Sequence, residues 1–524
     1  MCAEFRMLLL LLLHFLACNN AKQYCKYSDS CWPRDAEWEK LACSLNGKVH
    51  RIKSSDYMQC FRQGTSSENI TSAANGICMQ YHDCAREFCK KDNPWNLPGY
   101  SVEVLDETDV QKTITFANKH NMAITVKTSG HSYSGSSTAK DSLLIWMHKF
   151  KAYFNGVDDV IKNFADSCGT TYPDTIRVGG GQVWGDVYRA LGSDYNIVGG
   201  YCLSVSAAGG WLQGMGLSLM SRRYGLGIDN VLGYDVVLPS GIHARADACT
   251  NTDLFWALRG GGGGTWGVVT SVHYKVHPAE NALQLTMVIQ NPTSTPVAVD
   301  SWIRKWVELS PHLDRRWGGN WLTTGLRLFF VGTEKDARST FITHLEQWRE
   351  CLPKHEKENV IIQISKGKSY WDLRRTQNEI GTGIGNTNVA SRLIPRDFVV
   401  NNPKKVVEIL KRTLADVTFA PHYFLGGAVS DVDIEETAVH PAMRKAVWQI
   451  NTFTDEISAF VRTEVKNSGT GINHSSPVEP DWRNALWGKN LKRLQCLKKQ
   501  LDPENRFNCW HCVGYQGKEY STTS

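Results

Sequence analysis

A chain of 524 residues is too long for one ordinary core and points to two or three domains. Hydrophobic residues make up 42% and charged residues 21%, the balance of a globular protein, and a net charge of +6 without a lysine/arginine block speaks against nucleic acid as a partner. The 44 glycines and 18 tryptophans predict many tight turns and large apolar contacts.

The chain opens with Arg6 before an apolar run from Met7 to Leu16, then Ala17 and Cys18. A short apolar segment behind a positive charge reads as a secretory signal peptide over residues 1–21. It is shorter than the ~20 residues of a spanning helix, and no later segment is long and apolar enough for one. Sixteen cysteines fit an oxidising, extracellular or secretory destination, and seven of them lie between Cys25 and Cys89. Residues 22–94 are therefore read as a disulfide-stapled lead segment. Asn69-Ile70-Thr71 within it fits a glycosylation site, and Asn473-His474-Ser475 fits the same pattern.

After the Pro94–Gly99 punctuation, short strands alternate with helices. Val102 to Val104 reads as a strand, Thr108 to Asn118 as a helix with Val110, Ile114 and Ala117 on one face, and Ala123 to Val126 as a strand. That strand runs into Thr128-Ser129-Gly130-His131-Ser132-Tyr133-Ser134-Gly135, a loop of small and hydroxylated residues. Thr175 to Val178 is a further strand, entering Gly179-Gly180-Gly181 and a helix with Trp184, Val187, Tyr188 and Leu191. Glycine-dense stretches recur at 199–216 and 260–267, the latter between an apparent helix at Leu254 to Leu258 and an apparent strand at Val268 to Val276. From about 280 to 478 the glycine loops thin out into an ordinary α+β pattern, and residues 479–515 form a helical tail ending at the Asp502-Pro503 turn.

Glycine loops let backbone N–H groups approach an anion closely, so several in one half of the chain suggest a large phosphate-bearing cofactor. Gly262, Gly264 and Gly267 have G-x-G-x-x-G spacing, but a Rossmann site needs strand, glycines, then helix, and here the order is reversed. Taken alone, His131 reads as an exposed loop histidine and Cys202 as a disulfide partner. Cys509-Trp510-His511-Cys512 follows the Asp502-Pro503 turn rather than opening a helix. One structural disulfide, or two separate ones, is expected there rather than redox or zinc chemistry.

Read together and in order, these segments resemble the berberine-bridge-enzyme-like branch of the FAD-linked oxidases with the vanillyl-alcohol-oxidase type of fold. The similarity is carried by Gly130-His131-Ser132-Tyr133 and Gly200-Tyr201-Cys202-Leu203-Ser204-Val205. It continues in the run from Tyr224 to Val231, the run from Asp253 to Gly262, and the tail from Trp487 to Leu494 with Asp502-Pro503. The resemblance implies an α+β fold with a two-part PCMH-type FAD-binding domain (95–278 and 479–515) around an inserted α+β substrate domain (279–478).

The same resemblance implies FAD bound covalently, with His131 on the 8α-methyl and Cys202 on C6 of the isoalloxazine. A neutral imidazole and a thiolate are the nucleophiles such bonds need. Further flavin contacts are implied at Lys127, Ser129, Gly130, Ser132, Gly135, Val205, Gly209, Gly210, Ile228, Asp229, Val268 and Asn490. Lys127 and Ser129 stand where the family usually has arginine and glycine. Gln449, after Arg444, stands near a position where plant relatives often carry a glutamate base. His474 aligns with a tyrosine near the reacting atom and is the candidate base, because histidine titrates near neutral pH. Tyr423 is the reserve candidate. Val205 resembles oxidases more than dehydrogenases.

The expected activity is oxidation of an alcohol, sugar or specialised metabolite, by hydride transfer to the flavin and reduction of O2 to H2O2. A dehydrogenase or oxidative cyclase with another acceptor, and a non-catalytic binding protein of the same fold, are the alternatives. No metal site is expected.

Overall fold

The computed structural model describes residues 24–52, 98–151, 160–375, 389–414 and 422–517. The expected signal peptide, Asn69 and the cysteines from Cys60 to Cys89 lie outside these residues. No helix among the described residues is long and apolar enough to cross a membrane.

The first sheet is four-stranded, in the order β1-β2-β4-β3, with β1 Lys48–Arg51, β2 Tyr100–Glu103, β3 Ala123–Lys127 and β4 Ser142–Trp146. β2, β4 and β3 run parallel. A parallel step needs a crossover, and helix Glu107–Lys119 supplies it, capped by Asp106 on the Asp109 N–H and burying Val110, Ile114 and Ala117. The lead segment is integral to this layer. β1 pairs antiparallel with β2, and Trp38 stacks on Tyr100 with ring centroids 3.8 Å apart. Buried Asp109 accepts from the N–H groups of Asn46, Gly47 and Leu105.

The second sheet orders β5-β6-β10-β8-β9, from β5 Lys162–Ala165, β6 Thr171–Gly179, β8 Val231–Val237, β9 His243–Asp247 and β10 Val268–Lys275. Two short strands, β7 Tyr195–Asn196 and β11 His277–Pro278, pair beside it. The Cys168–Cys249 disulfide joins the β5–β6 turn to the end of β9. Helix Trp184–Leu191 and the tail helices Trp482–Trp487 and Leu491–Leu501 share one apolar core with this sheet.

The third sheet has seven strands in the order β15-β12-β14-β13-β17-β18-β16. They are β12 Ala282–Ile289, β13 Trp317–Leu322, β14 Gly325–Val331, β15 Val360–Gly367, β16 Ala390–Pro395, β17 His422–Phe424 and β18 Ala446–Thr452. Every neighbouring pair is antiparallel. One face is covered by helices Pro296–Leu309, Pro403–Thr413 and Asp455–Glu464, with Trp302, Trp306, Trp317, Trp321 and Trp448 in the core. The fold is α+β, as the resemblance implied.

Two buried ion pairs tie the third sheet to the rest. Arg444 holds Asp229 through two contacts of 2.7 Å, and Arg392 holds Glu479 at 2.5 Å. The tail returns to the first sheet, where the Ile124 N–H donates to the Arg506 carbonyl at 2.7 Å. Buried Lys498 secures the turn. Its ammonium donates to Asp502 and to the carbonyls of Thr265 and Phe507 at 2.7–2.9 Å.

Candidate flavin site

A cavity of about 90 Å³ opens where these layers meet. One wall is the loop after β3, from Thr128 to Ser134. The second is Val205 to Gly214, the third Gly262 to Gly264 with Gly267, and the tail adds Ile472, Asn473, His511 and Cys512.

Backbones touch here because side chains are missing. A Cβ on Gly209 would lie 2.3 Å from Thr128 Oγ1, and one on Gly263 would lie 2.8 Å from the Gly210 Cα. The 260–267 stretch thus lines the cavity from between helix Thr252–Leu258 and β10, the reverse of Rossmann order. Ser206 Oγ, Gln213 Oε1, Asn473 Oδ1 and both ring nitrogens of His511 are buried on this wall without a protein partner. Such groups need hydrogen-bonding partners. Open glycine backbone with unpaired hydroxyl, amide and imidazole groups fits a polar, phosphate-bearing ring ligand such as FAD.

His131 faces this cavity. Its Nδ1 lies 2.9 Å from Ser129 Oγ and its Nε2 lies 3.0 Å from Ser204 Oγ. Ser129 also accepts from the Ser206 N–H at 3.1 Å, so the residue that replaces a family glycine joins two walls and orients the histidine. Burial, helped by the Lys127 charge, lowers the His131 pKa to about 3 and keeps its ring neutral. Cys202 is half-buried, is not disulfide-bonded, and stands two residues before Ser204. The Ser204–His131 contact therefore brings the two expected attachment residues onto adjoining loops.

The other expected flavin contacts divide. Ser129, Gly130, Ser132, Val205, Gly209 and Gly210 line the wall. Lys127 and Val268 do not, and strand alternation is the reason: Val126 and Thr128, and Gly267 and Val269, line the cavity instead. The Lys127 ammonium lies 5.7 Å from the Trp146 ring centroid, and burial lowers its pKa to about 7. Gly135 lies between the wall residues Ser134 and Ser136 and makes a turn, its carbonyl accepting from the Thr138 N–H. Ile228 is in the apolar core, Asp229 is engaged by Arg444, and Asn490 donates to the Val439 carbonyl at 2.9 Å. These residues shape the fold around the cavity rather than its surface.

His474 stands just behind the wall, its ring 5.6 Å from that of Tyr133 and 5.4 Å from that of Tyr423. The Gln449 amide nitrogen lies 3.1 Å from His474 Nδ1 and 3.0 Å from Asn451 Oδ1. An amide N–H can only donate, so Nδ1 accepts and the neutral ring carries its proton on Nε2. Burial lowers the His474 pKa to about 4. Near neutral pH its outward nitrogen is a hydrogen-bond donor. The Asn473 amide nitrogen that glycosylation would use donates to the Gly210 carbonyl at 2.8 Å.

Sequence reasoning missed Gln213, Ser206 and His511 as wall residues. His511 lay in a motif read only for its cysteines, which pair with each other as Cys509–Cys512. The other two are ordinary polar residues that only tertiary contact singles out.

Fold and cavity together fit a flavin-binding α+β protein. An FAD binding domain family matches residues 98–247, and the berberine and berberine-like family matches residues 472–513. An uncharacterized FAD-linked oxidoreductase of Arthroderma benhamiae is 28% identical, with 94% of each chain covered. A VAO-type flavoprotein from Myceliophthora thermophila superposes with a TM-score of 0.77 at 23% identity, over 94% of this chain and 97% of that one. A glucooligosaccharide oxidase from Acremonium strictum, with a 6-S-cysteinyl, 8α-N1-histidyl FAD, superposes with a TM-score of 0.63 at 17% identity, over 91% and 99%. The chain thus carries a match to an FAD binding domain and to a berberine-like segment, and it is similar over most of its length to FAD-linked oxidoreductases.

Proposed function

We propose that this protein is a secreted oxidase with FAD held covalently by His131 and Cys202. Its substrate would be an alcohol, sugar or specialised metabolite and its co-product hydrogen peroxide. The observation that carries the reading is the 3.0 Å contact between His131 and Ser204, which sets a neutral imidazole beside the loop of a thiol. The Cys25–Cys31 and Cys168–Cys249 disulfides support an oxidising destination.

When bound, FAD would supply the hydride acceptor for the substrate carbon and the route of those electrons to oxygen. The protein's part is attachment, orientation and proton handling. Among the described residues the wall carries no lysine or arginine, and a pyrophosphate would rest on backbone N–H groups of the glycine loops. His474, neutral and protonated on Nε2, donates a hydrogen bond at the reacting end. The Tyr423 side chain, in ring contact with it, would take the substrate hydroxyl proton in its phenolate form.

The test is intact mass and a visible spectrum after acid precipitation. Colour stays with the pellet, and His131→Ala and Cys202→Ala each remove one linkage, the double variant losing all covalent flavin. A colourless pellet at polypeptide mass would refute covalent attachment.

A further inference from the structure

Helix Tyr370–Arg375 follows β15 of the seven-stranded sheet, yet it docks on the loop that carries Cys202. Trp371 stacks on Tyr188 with ring centroids 5.1 Å apart, and Tyr188 donates to the Gly200 carbonyl at 2.9 Å. The Tyr370 N–H donates to Asn196 Oδ1 at 3.3 Å, and Ser193 donates to Asp372 at 2.5 Å. This docking delivers Arg374, 0% exposed, to the Tyr201 carbonyl, where its Nε and Nη2 donate at 3.1 and 2.7 Å. That carbonyl belongs to the peptide bond joining Tyr201 to Cys202. The guanidinium also lies over the Tyr201 ring, 4.3 Å from its centroid, and Arg327 donates to the Tyr201 hydroxyl at 2.8 Å. A buried guanidinium is costly unless carbonyls or rings compensate it. Here the carbonyl and ring of Tyr201, on the loop that carries the thiol, are among the compensating groups.

We propose that Arg374 is the positioning residue for flavin attachment at Cys202, holding the loop in place and stabilising the thiolate that forms the sulfur–C6 bond. The inference rests on the bicovalent reading above. In the attachment step the sulfur–C6 bond forms while the S–H and C6–H bonds break. Two protons and an electron pair leave, and dioxygen takes them up as hydrogen peroxide. The source of the assistance is charge: a fixed cation within one peptide unit lowers a thiol's pKa, more strongly in a dry interior than in water.

Tyr188, Tyr370, His131 and Asp372 flank this loop. The Tyr188 and Tyr370 phenols are pushed above their ordinary range by burial and stay neutral. His131, joined through Ser204, is neutral because burial lowers its pKa to about 3. Asp372 is engaged by Ser193 and the Lys368 N–H. Among the described residues named here, Arg374 and Arg327 bring the positive charge.

The test is peptide mapping by mass spectrometry of flavin-loaded wild type, Arg374→Met and Arg374→Lys, scoring the Cys202 and His131 peptides separately. At pH 7, Arg374→Met lowers the flavin-linked fraction at Cys202 about tenfold. It leaves the His131 linkage in place, and raising the pH restores the Cys202 linkage. Arg374→Lys retains more linkage than Arg374→Met. Wild-type linkage at Cys202 in Arg374→Met overturns this inference alone, whereas an unlinked Cys202 in wild type overturns the bicovalent reading as well. If Arg374→Met takes up no flavin at either residue, the readout passes to His131→Ala protein loaded with FAD. There the rate of Cys202 linkage rises with pH about a midpoint below the ordinary thiol value of about 8.5. A midpoint at or above that value overturns the proposal.

Discussion

A neutral imidazole has one lone pair and one N–H, and its neighbours decide which nitrogen holds which. At His474 the neighbour is Gln449, fully buried and held by Asn451 Oδ1. Gly471 makes room for it, since a Cβ there would lie 2.3 Å from Gln449 Oε1. A glutamate at this position would instead accept from Nδ1 and favour a charged ring. Gln449→Leu should therefore lower kcat about tenfold by leaving the tautomer undirected, with covalent flavin content unchanged. Nitrogen NMR of the wild-type imidazole should show Nδ1 unprotonated at pH 7. A variant with wild-type kcat would show that Gln449 does not orient the ring.

At the scale of elements, the cavity is mostly a meeting of loops, joined by Val126 of β3, Val269 of β10 and the short helix Gly210–Gly214. Each loop follows a regular element that sets its direction, and glycine sets how closely two loops approach. Gly209 is the sharpest case, because Thr128 fills the space a side chain would need. Gly209→Ala forces the 205–214 segment away from the His131 loop, an overpacking cost of about 1–3 kcal/mol. It should abolish or strongly reduce flavin retention while the far-ultraviolet circular dichroism stays that of the folded chain. Full flavin loading in this variant would mean that the two walls can separate without loss of the site.

The whole molecule carries a store of buried neutral histidines. Burial lowers the pKa of His422 and His511 to about 3, and of His440 and His474 to about 4. An unfolded histidine titrates near 6.5, so between about pH 6.5 and 4 the unfolded chain binds protons that the folded chain refuses. Stability is therefore full above that window and falls as pH drops through it. Asp235 and Asp247 have pKa values lowered by their hydrogen bonds, and their contribution is lost only below the ordinary carboxylate range. The Tm of the flavin-loaded protein should be flat from pH 7 to 8 and decline steadily from pH 6.5 to 4.5. An equal Tm at pH 7 and pH 5 would contradict the buried neutral histidines.

Much of this was legible in the chain itself. The helix at Glu107–Lys119 and the strands at Ala123–Lys127 and Val268–Lys275 follow from local apolar periodicity, which needs no tertiary partner to be read. The ordered motifs around His131 and Cys202 pointed to FAD-linked oxidoreductases, because small residues and glycines at those loops reflect a local need for backbone approach. Tertiary structure alone decided which side chains face the cavity. Lys127 and Val268 are one residue out of register with it, and Asp229 is taken by Arg444 from a segment 215 residues away. It also decided that the lead segment joins the first sheet through β1, that Gln449 fixes the His474 tautomer, and that Arg374 reaches the Cys202 loop. Those outcomes depend on contacts between distant segments and on the alternating faces of strands, whose orientation only packing determines.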